Sequence, residues 1–156
     1  MKIIDRRSFL LRSLVNREEL RMYQHIVQYY ETDMMGVTHH SNYVRWMEEA
    51  RTDFLDKLGW PYKRMEEEGI ISPVISIDCK YLMTTTYEDK IDIDIQIYEF
   101  KGVKIKFKYT MTNEAGKTVF TSHSEHCFID RDGRPMSIKK SKPELYELVM
   151  ANLVEE

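Results

Sequence analysis

The run Ile91-Asp-Ile-Asp-Ile-Gln-Ile97 places a β-branched apolar residue at every second position, so an extended chain here has one apolar and one polar face. Val103, Ile105, Phe107 and Tyr109 alternate in the same way with Lys104, Lys106 and Lys108. Phe100-Lys-Gly-Val103 lies between the two runs and supplies a tight turn, so the pair is predicted to be a β-hairpin with one buried face.

Downstream, Asn113-Glu-Ala-Gly116 makes the next hairpin turn, and Asp130-Arg-Asp-Gly133 closes the last strand. Pro143 opens a terminal helix carrying Leu145, Leu148, Val149 and Leu153. Upstream, the period of the apolar pattern changes from 3.6 to 2 at Pro73, and the text from there to Asp130 reads as strand.

Before Pro73 the pattern is helical. Tyr43, Met47, Ala50, Phe54, Leu55 and Leu58 recur at three- and four-residue intervals up to Gly59, with Ser41 or Asn42 as the cap. A short helix follows Pro61, over residues 62–69. Residues 22–30, Met-Tyr-Gln-His-Ile-Val-Gln-Tyr-Tyr, are rich in β-branched and aromatic side chains and are predicted to be a strand ending in the turn Glu31-Thr-Asp-Met-Met-Gly36. Residues 1–20 read as an N-terminal extension with a short helix carrying Phe9, Leu10, Leu14 and Val15, and residues 21–156 as a single domain.

The order strand, long helix, then four long strands describes an α+β domain in which an antiparallel sheet holds one hydrophobic helix against its face. A chain of 156 residues, 42% of them hydrophobic, can bury one substantial core but not two. The net charge of -3 carries no basic excess that would draw nucleic acid. Cys79 and Cys127 are the only cysteines, and their spacing gives neither a disulfide framework nor a zinc knuckle, which fits a reducing cytoplasm. No apolar stretch reaches the roughly 18 to 20 residues that span a bilayer. Residues 8–15, interrupted by Arg12, are too short for a signal sequence.

The densest chemistry lies in Tyr29-Tyr-Glu-Thr-Asp33-Met-Met-Gly36-Val-Thr-His-His40-Ser-Asn42-Tyr43, followed by Trp46-Met-Glu-Glu-Ala-Arg51. This segment resembles the 4-hydroxybenzoyl-CoA thioesterase-like family, including the Tol-Pal-associated acyl-CoA thioesterases. Asp33, Gly36, Val37, His40, Asn42 and Tyr43 fall in register with the family pattern. The likeness runs from about Met22 to Asp130, taking in Tyr81 and Tyr87-Glu-Asp89.

The resemblance implies the hotdog fold, a long central helix wrapped by a five- to six-stranded antiparallel sheet. It also implies hydrolysis of an acyl-CoA thioester to a free acid and CoA. Asp33 would be the catalytic carboxylate, as general base or as nucleophile, with His40 and Tyr29 in supporting roles. Gly36, Val37, Asn42 and Tyr43 would line the substrate site. The backbone N–H of His40, at the positive end of a helix, would hold the thioester oxyanion. No metal or other cofactor is called for, and a homodimer or a dimer-of-dimers tetramer is the implied assembly. The chain departs from the pattern at Thr84-Thr-Thr86, where relatives often read Pro-Ala, and at Met34-Met35.

Plainer readings apply elsewhere. The adjacent His39 and His40 lack the i, i+4 spacing and the acidic cluster of a metal site. His123 and His126, three apart on a strand, point to opposite faces. Glu48-Glu-Ala-Arg51 reads as an ion-pair element on the helix surface. Lys101, Lys104, Lys106 and Lys108, and separately Lys139, Lys140 and Lys142, form basic groups that are either solvated faces or seats for the CoA phosphates. Two rival functions share the fold: a thioesterase for acyl groups on a carrier protein, and a non-catalytic acyl-CoA-binding module.

Overall fold

In the computed structural model, which describes residues 17–154, the chain runs α1 (Arg17–Arg21), β1 (Met22–Ile26), α2 (Ser41–Lys57), α3 (Tyr62–Glu67), β2 (Val74–Tyr81), β3 (Lys90–Phe100), β4 (Lys104–Thr112), β5 (Thr118–Cys127), α4 (Ile138–Ser141) and α5 (Pro143–Ala151). Five strands form one antiparallel sheet in the order β1-β3-β4-β5-β2. This is the hotdog arrangement, with α2 packed on the apolar face of the sheet. The proposed extension over residues 1–20 lies outside the described residues except for α1.

The alternation of the central hairpin sets the geometry. Ile91, Ile93, Ile95 and Ile97 of β3 are buried together with Ile105, Phe107, Tyr109 and Met111 of β4, while the residues between them are partly or fully exposed. The partners register Ile93↔Met111, Ile95↔Tyr109 and Ile97↔Phe107 place both apolar rows on the same face. Against it α2 buries Tyr43, Trp46, Met47, Ala50, Phe54 and Leu55. Each large side chain so buried contributes about 1.5–3 kcal/mol, enough to order a helix that has no side-chain cap.

The outer face of the sheet is solvated and charged, with Lys106 2.7 Å from Glu99 and Lys104 3.8 Å from Glu125. The basic stripe on β4 is therefore partnered in part by acidic residues of its own sheet. At the sheet margin, β2 leaves Val74, Ile75, Ile77 and Tyr81 exposed. The hairpin turns fall where expected, and Gly102 and Gly116 adopt the positive φ those turns need.

Two expectations need correction, and one element is additional. The first strand ends at Ile26 rather than at residue 30, because the Glu31 carboxylate accepts the Gln28 N–H at 2.8 Å and closes a 3₁₀ turn over Tyr29–Glu31. Tyr29 and Tyr30 consequently project into solvent, although their residue type favours a strand. The long helix begins at Ser41 with His40 in the N-cap position; the Ser41 hydroxyl bonds His39 instead, and the Asn42 amide holds carbonyls of the preceding loop. The short α4 was not foreseen, and it follows from the Ser137 carbonyl accepting the N–H of Ser141.

Candidate active site

The 3₁₀ turn delivers the chain into a loop that closes on itself. Thr32 bridges Thr38, the N–H of Asp33 donates to the Val37 carbonyl at 2.9 Å, and the N–H of Gly36 donates to the Asp33 carbonyl at 3.0 Å. Asp33 Oδ1 accepts the Met35 N–H at 2.8 Å, so the carboxylate braces its own turn. Gly36 has φ 76°, a conformation that costs a side-chain-bearing residue about 1 kcal/mol or more.

Asp33 is half-buried at the junction of two surface concavities. One is a cleft of about 300 Å³ walled by Val37, Thr38, His40, Tyr43, Tyr81 and Met83. The other is a wider hollow of about 810 Å³ whose lining includes Tyr29, Tyr30, Met34, Asn42 and Arg45.

His40 stands at the mouth of α2, exposed, with its carbonyl accepting the Tyr81 hydroxyl at 3.0 Å. Its backbone N–H has no hydrogen-bond acceptor among the described residues, and it lies at the end of the helix where N–H groups and the dipole favour negative charge.

The remaining expected residues divide between opening and scaffold. Val37 lines the cleft. Gly36 lines neither concavity, and its carbonyl accepts the Thr86 hydroxyl at 2.8 Å. Tyr29 is 76% exposed, edge-on to Tyr87, and shares the hollow with Asp33 but no hydrogen bond. Asn42 is buried and gives its amide N–H groups to the Glu31 and His39 carbonyls, so it pins the loop to the helix. Tyr43 is core: its ring stacks on Phe120, its hydroxyl meets Thr85 Oγ1 at 2.9 Å, and burial raises the phenol above its ordinary pKa. The Thr84–Thr86 departure thus has a structural role here, with Thr85 buried beneath the loop.

A buried polar network beside the loop escaped the sequence reading. Glu31, 4% exposed, faces His25 Nε2 at 2.7 Å and accepts the Trp46 indole N–H at 2.6 Å; His25 Nδ1 faces Glu49 at 2.9 Å, and Tyr23 donates to the same Glu49 oxygen. Burial by itself would raise the Glu31 carboxyl, but the hydrogen bonds from Gln28, His25 and Trp46 outweigh it and hold the group below the usual carboxylate range. The only sequence signal was the fixed spacing of Glu31 two residues before Asp33, which says nothing of its partners.

Glu48-Glu-Ala-Arg51 is not a surface ion-pair element. Arg51 lies four residues after Met47 and three before Phe54, on the apolar face of α2, so its guanidinium is buried and donates to the hydroxyls of Tyr62 (2.7 Å) and Tyr109 (3.1 Å). Tyr109 continues through Ser124 to His126, whose pKa is pushed down to about 4 by burial and by Arg51. His123 faces outward beside Asp78, on the opposite side of β5 from His126. Among the described residues no three His, Cys, Asp or Glu side chains converge as a metal site, and no helix is long and apolar enough to cross a membrane.

Residues 27–153 match the profile of the family described as the thioesterase-like superfamily. The chain is 34% identical over 119 residues to YneP of Bacillus subtilis, assigned as an acyl-CoA thioesterase, covering 76% of this chain and 86% of that one. It is 27% identical over 113 residues to the 1,4-dihydroxy-2-naphthoyl-CoA hydrolase of Thermosynechococcus vestitus, covering 72% and 77%. Among solved structures, the DHNA-CoA thioesterase of Staphylococcus aureus superposes with a TM-score of 0.78 at 31% identity, covering 86% of this chain and 96% of that one.

Proposed function

The chain belongs to the thioesterase-like superfamily, and from that membership we propose that it hydrolyses an acyl-CoA thioester to the free acid and CoA with Asp33 as the catalytic carboxylate. The observation that carries the reading is the half-buried Asp33 where two concavities meet, on a loop leading to a helix N-terminus that offers an unused N–H at His40.

As a general base, Asp33 takes a proton from water while the hydroxide adds to the thioester carbon. The carbonyl oxygen takes up negative charge, the His40 N–H receives it, and collapse breaks the carbon–sulfur bond to release the CoA thiolate, which is then protonated. As a nucleophile, the carboxylate itself adds to the carbon, expels the thiolate and leaves a mixed anhydride that water cleaves. His40 and Tyr29 orient the substrate at the two openings, and Val37 lines the cleft. Gly36, Asn42 and Tyr43 serve the site by fixing its walls.

The working unit is a homodimer, with dimers able to pair further, and the chain works in the cytoplasm. The exposed apolar row Val74, Ile75, Ile77 and Tyr81 on the edge strand β2 supports a second copy pairing there. The half-buried Cys79 and Cys127, both unpaired, suit a reducing compartment.

The test is a thiol-release assay over acyl-CoAs from acetyl to long-chain and aromatic, with wild type beside Asp33→Asn and Asp33→Ala. Both variants lose roughly a hundredfold or more in kcat. A wild type that turns over no CoA ester overturns the reading, in favour of carrier-protein substrates or a binding role. Single turnover in ¹⁸O-water identifies the nucleophilic route where water cleaves the anhydride at the Asp33 carboxyl carbon, the one path that leaves label in that carboxylate.

A further inference from the structure

Glu31 is tied to four separate pieces of the molecule. Its carboxylate meets β1 through His25 Nε2 at 2.7 Å, its own turn through the Gln28 N–H at 2.8 Å, and the body of α2 through the Trp46 indole at 2.6 Å. Its main-chain carbonyl accepts the His39 N–H at 2.8 Å and the Asn42 amide at 2.9 Å, both at the entrance to α2. The first three contacts fix where the Asp33 loop leaves the sheet, and the last two fix where it enters the helix.

We propose that Glu31 is a positioning residue, the anchor that holds the Asp33 carboxylate and the His40 N–H in a set relation across the loop. The inference rests on the reading of Asp33 as the catalytic carboxylate. Trp46 is fully buried and stacked on His25 with ring centroids 4.5 Å apart, so neither partner can swing away to follow a misplaced Glu31. A two-residue link then leaves Asp33 little freedom of its own.

The chemistry of the contacts calls for an acceptor oxygen at both carboxyl positions. The Gln28 and Trp46 N–H groups are obligate donors, and they address different oxygens of Glu31, Oε1 and Oε2 respectively. An amide in the same place has one oxygen and one NH₂, so whichever way it is turned it sets a donor against a donor. Glutamine is therefore nearly isosteric yet cannot satisfy the site, and aspartate is one methylene short of it.

The experiment compares wild type, Glu31→Gln, Trp46→Phe, their double variant and Asp33→Asn on an acyl-CoA that the wild type hydrolyses, with thermal melting to establish the folded fraction. Hydrogen–deuterium exchange over residues 32–40 follows the loop directly. In folded Glu31→Gln, kcat is expected to fall by roughly tenfold to a hundredfold, the scale set by a misplaced reacting group, with KM within about threefold of wild type. Exchange in the loop accelerates, and the double variant loses no more than Glu31→Gln alone because both changes break one anchor.

Wild-type kcat in folded Glu31→Gln overturns the proposal, and so does a fall in kcat with unchanged loop exchange. If Glu31→Gln does not fold, Trp46→Phe decides: reduced kcat at constant KM with faster loop exchange upholds the anchor, and wild-type behaviour removes it. Full activity in Asp33→Asn instead sinks the assignment of Asp33, a result separable from failure at Glu31 because the two variants are read in the same assay.

Discussion

The hydroxyls of Thr38 and Thr85, 47 positions apart in the chain, lie 2.6 Å from each other in a buried contact, and the Tyr43 hydroxyl joins them at 2.9 Å from Thr85. The Thr38 N–H also donates to the Thr85 carbonyl at 2.8 Å. Through these bonds the loop after β2 supports the floor of the Asp33 loop. Thr85→Val keeps the volume and removes the shared hydroxyl; the Tyr43 hydroxyl loses that partner while Thr38 Oγ1 keeps the Thr85 carbonyl at 3.2 Å, and the change costs about 1–3 kcal/mol. Urea unfolding measures it as a lower midpoint at unchanged slope.

His126 gives the fold an acid-sensitive element. Its pKa falls to about 4 in the native protein, first through burial and then through the nearby Arg51 guanidinium. Between the unperturbed value of about 6.5 and the native value, the unfolded chain binds the proton and the native chain does not. The contribution is thus fully present above about pH 6.5 and is lost as pH falls towards 4, on the order of 3 kcal/mol in all. Urea midpoints at pH 7, 5.5 and 4 show this limb in wild type, and His126→Gln flattens it.

At Gly36 the two components of a substitution cost separate cleanly. A Cβ built there meets no atom within 4 Å, so Gly36→Ala pays for backbone conformation alone, with φ at 76°. The expected loss is about 1 kcal/mol, and Gly36→Asn loses less because asparagine tolerates the left-handed region. A loss of several kcal/mol in the melting curve of Gly36→Ala contradicts this account.

The proposed assembly is tested on β2. Ile75 and Ile77 are exposed on that edge strand, and lysine at either position sets a charge against the pairing surface of a second copy. Each single variant weakens self-association by about tenfold or more, equivalent to roughly 1.4 kcal/mol. Light scattering over a dilution series reads the shift, and an unaltered mass in both variants removes β2 from the interface.

Most of the fold was legible because its signals are local and periodic. The two-residue period of β3 and β4, the three- and four-residue spacing of α2, and the glycines of the hairpin turns each fall on one segment. The end of β1 was misjudged because Tyr29 and Tyr30 carry strand propensity, whereas a contact from Glu31 to Gln28 decides their conformation. Arg51 was misjudged because its charge spoke louder than its place on the apolar face of α2. The Glu31 network was invisible for a more general reason: His25, Glu31, Trp46 and Glu49 come together only when β1 is laid beside α2, and no short-range pattern encodes that meeting. Within the candidate site, the motif singled out the loop but not that Tyr29 stands in solvent while the Asn42 amide and the Tyr43 hydroxyl are bonded within the fold.

Met34 and Met35 stand at the tip of the Asp33 loop almost wholly in solvent, on a turn braced by main-chain bonds and by Asp33 itself. Their side chains carry little of the folding free energy, while residues a few positions away, Glu31 and Thr38, are buried and bound on several sides. Mutational tolerance and proximity to the carboxylate therefore coincide at these two positions. Lineages of this protein can alter the rim of the opening there without first acquiring compensating changes elsewhere, so the rim can diverge while the frame stays untouched.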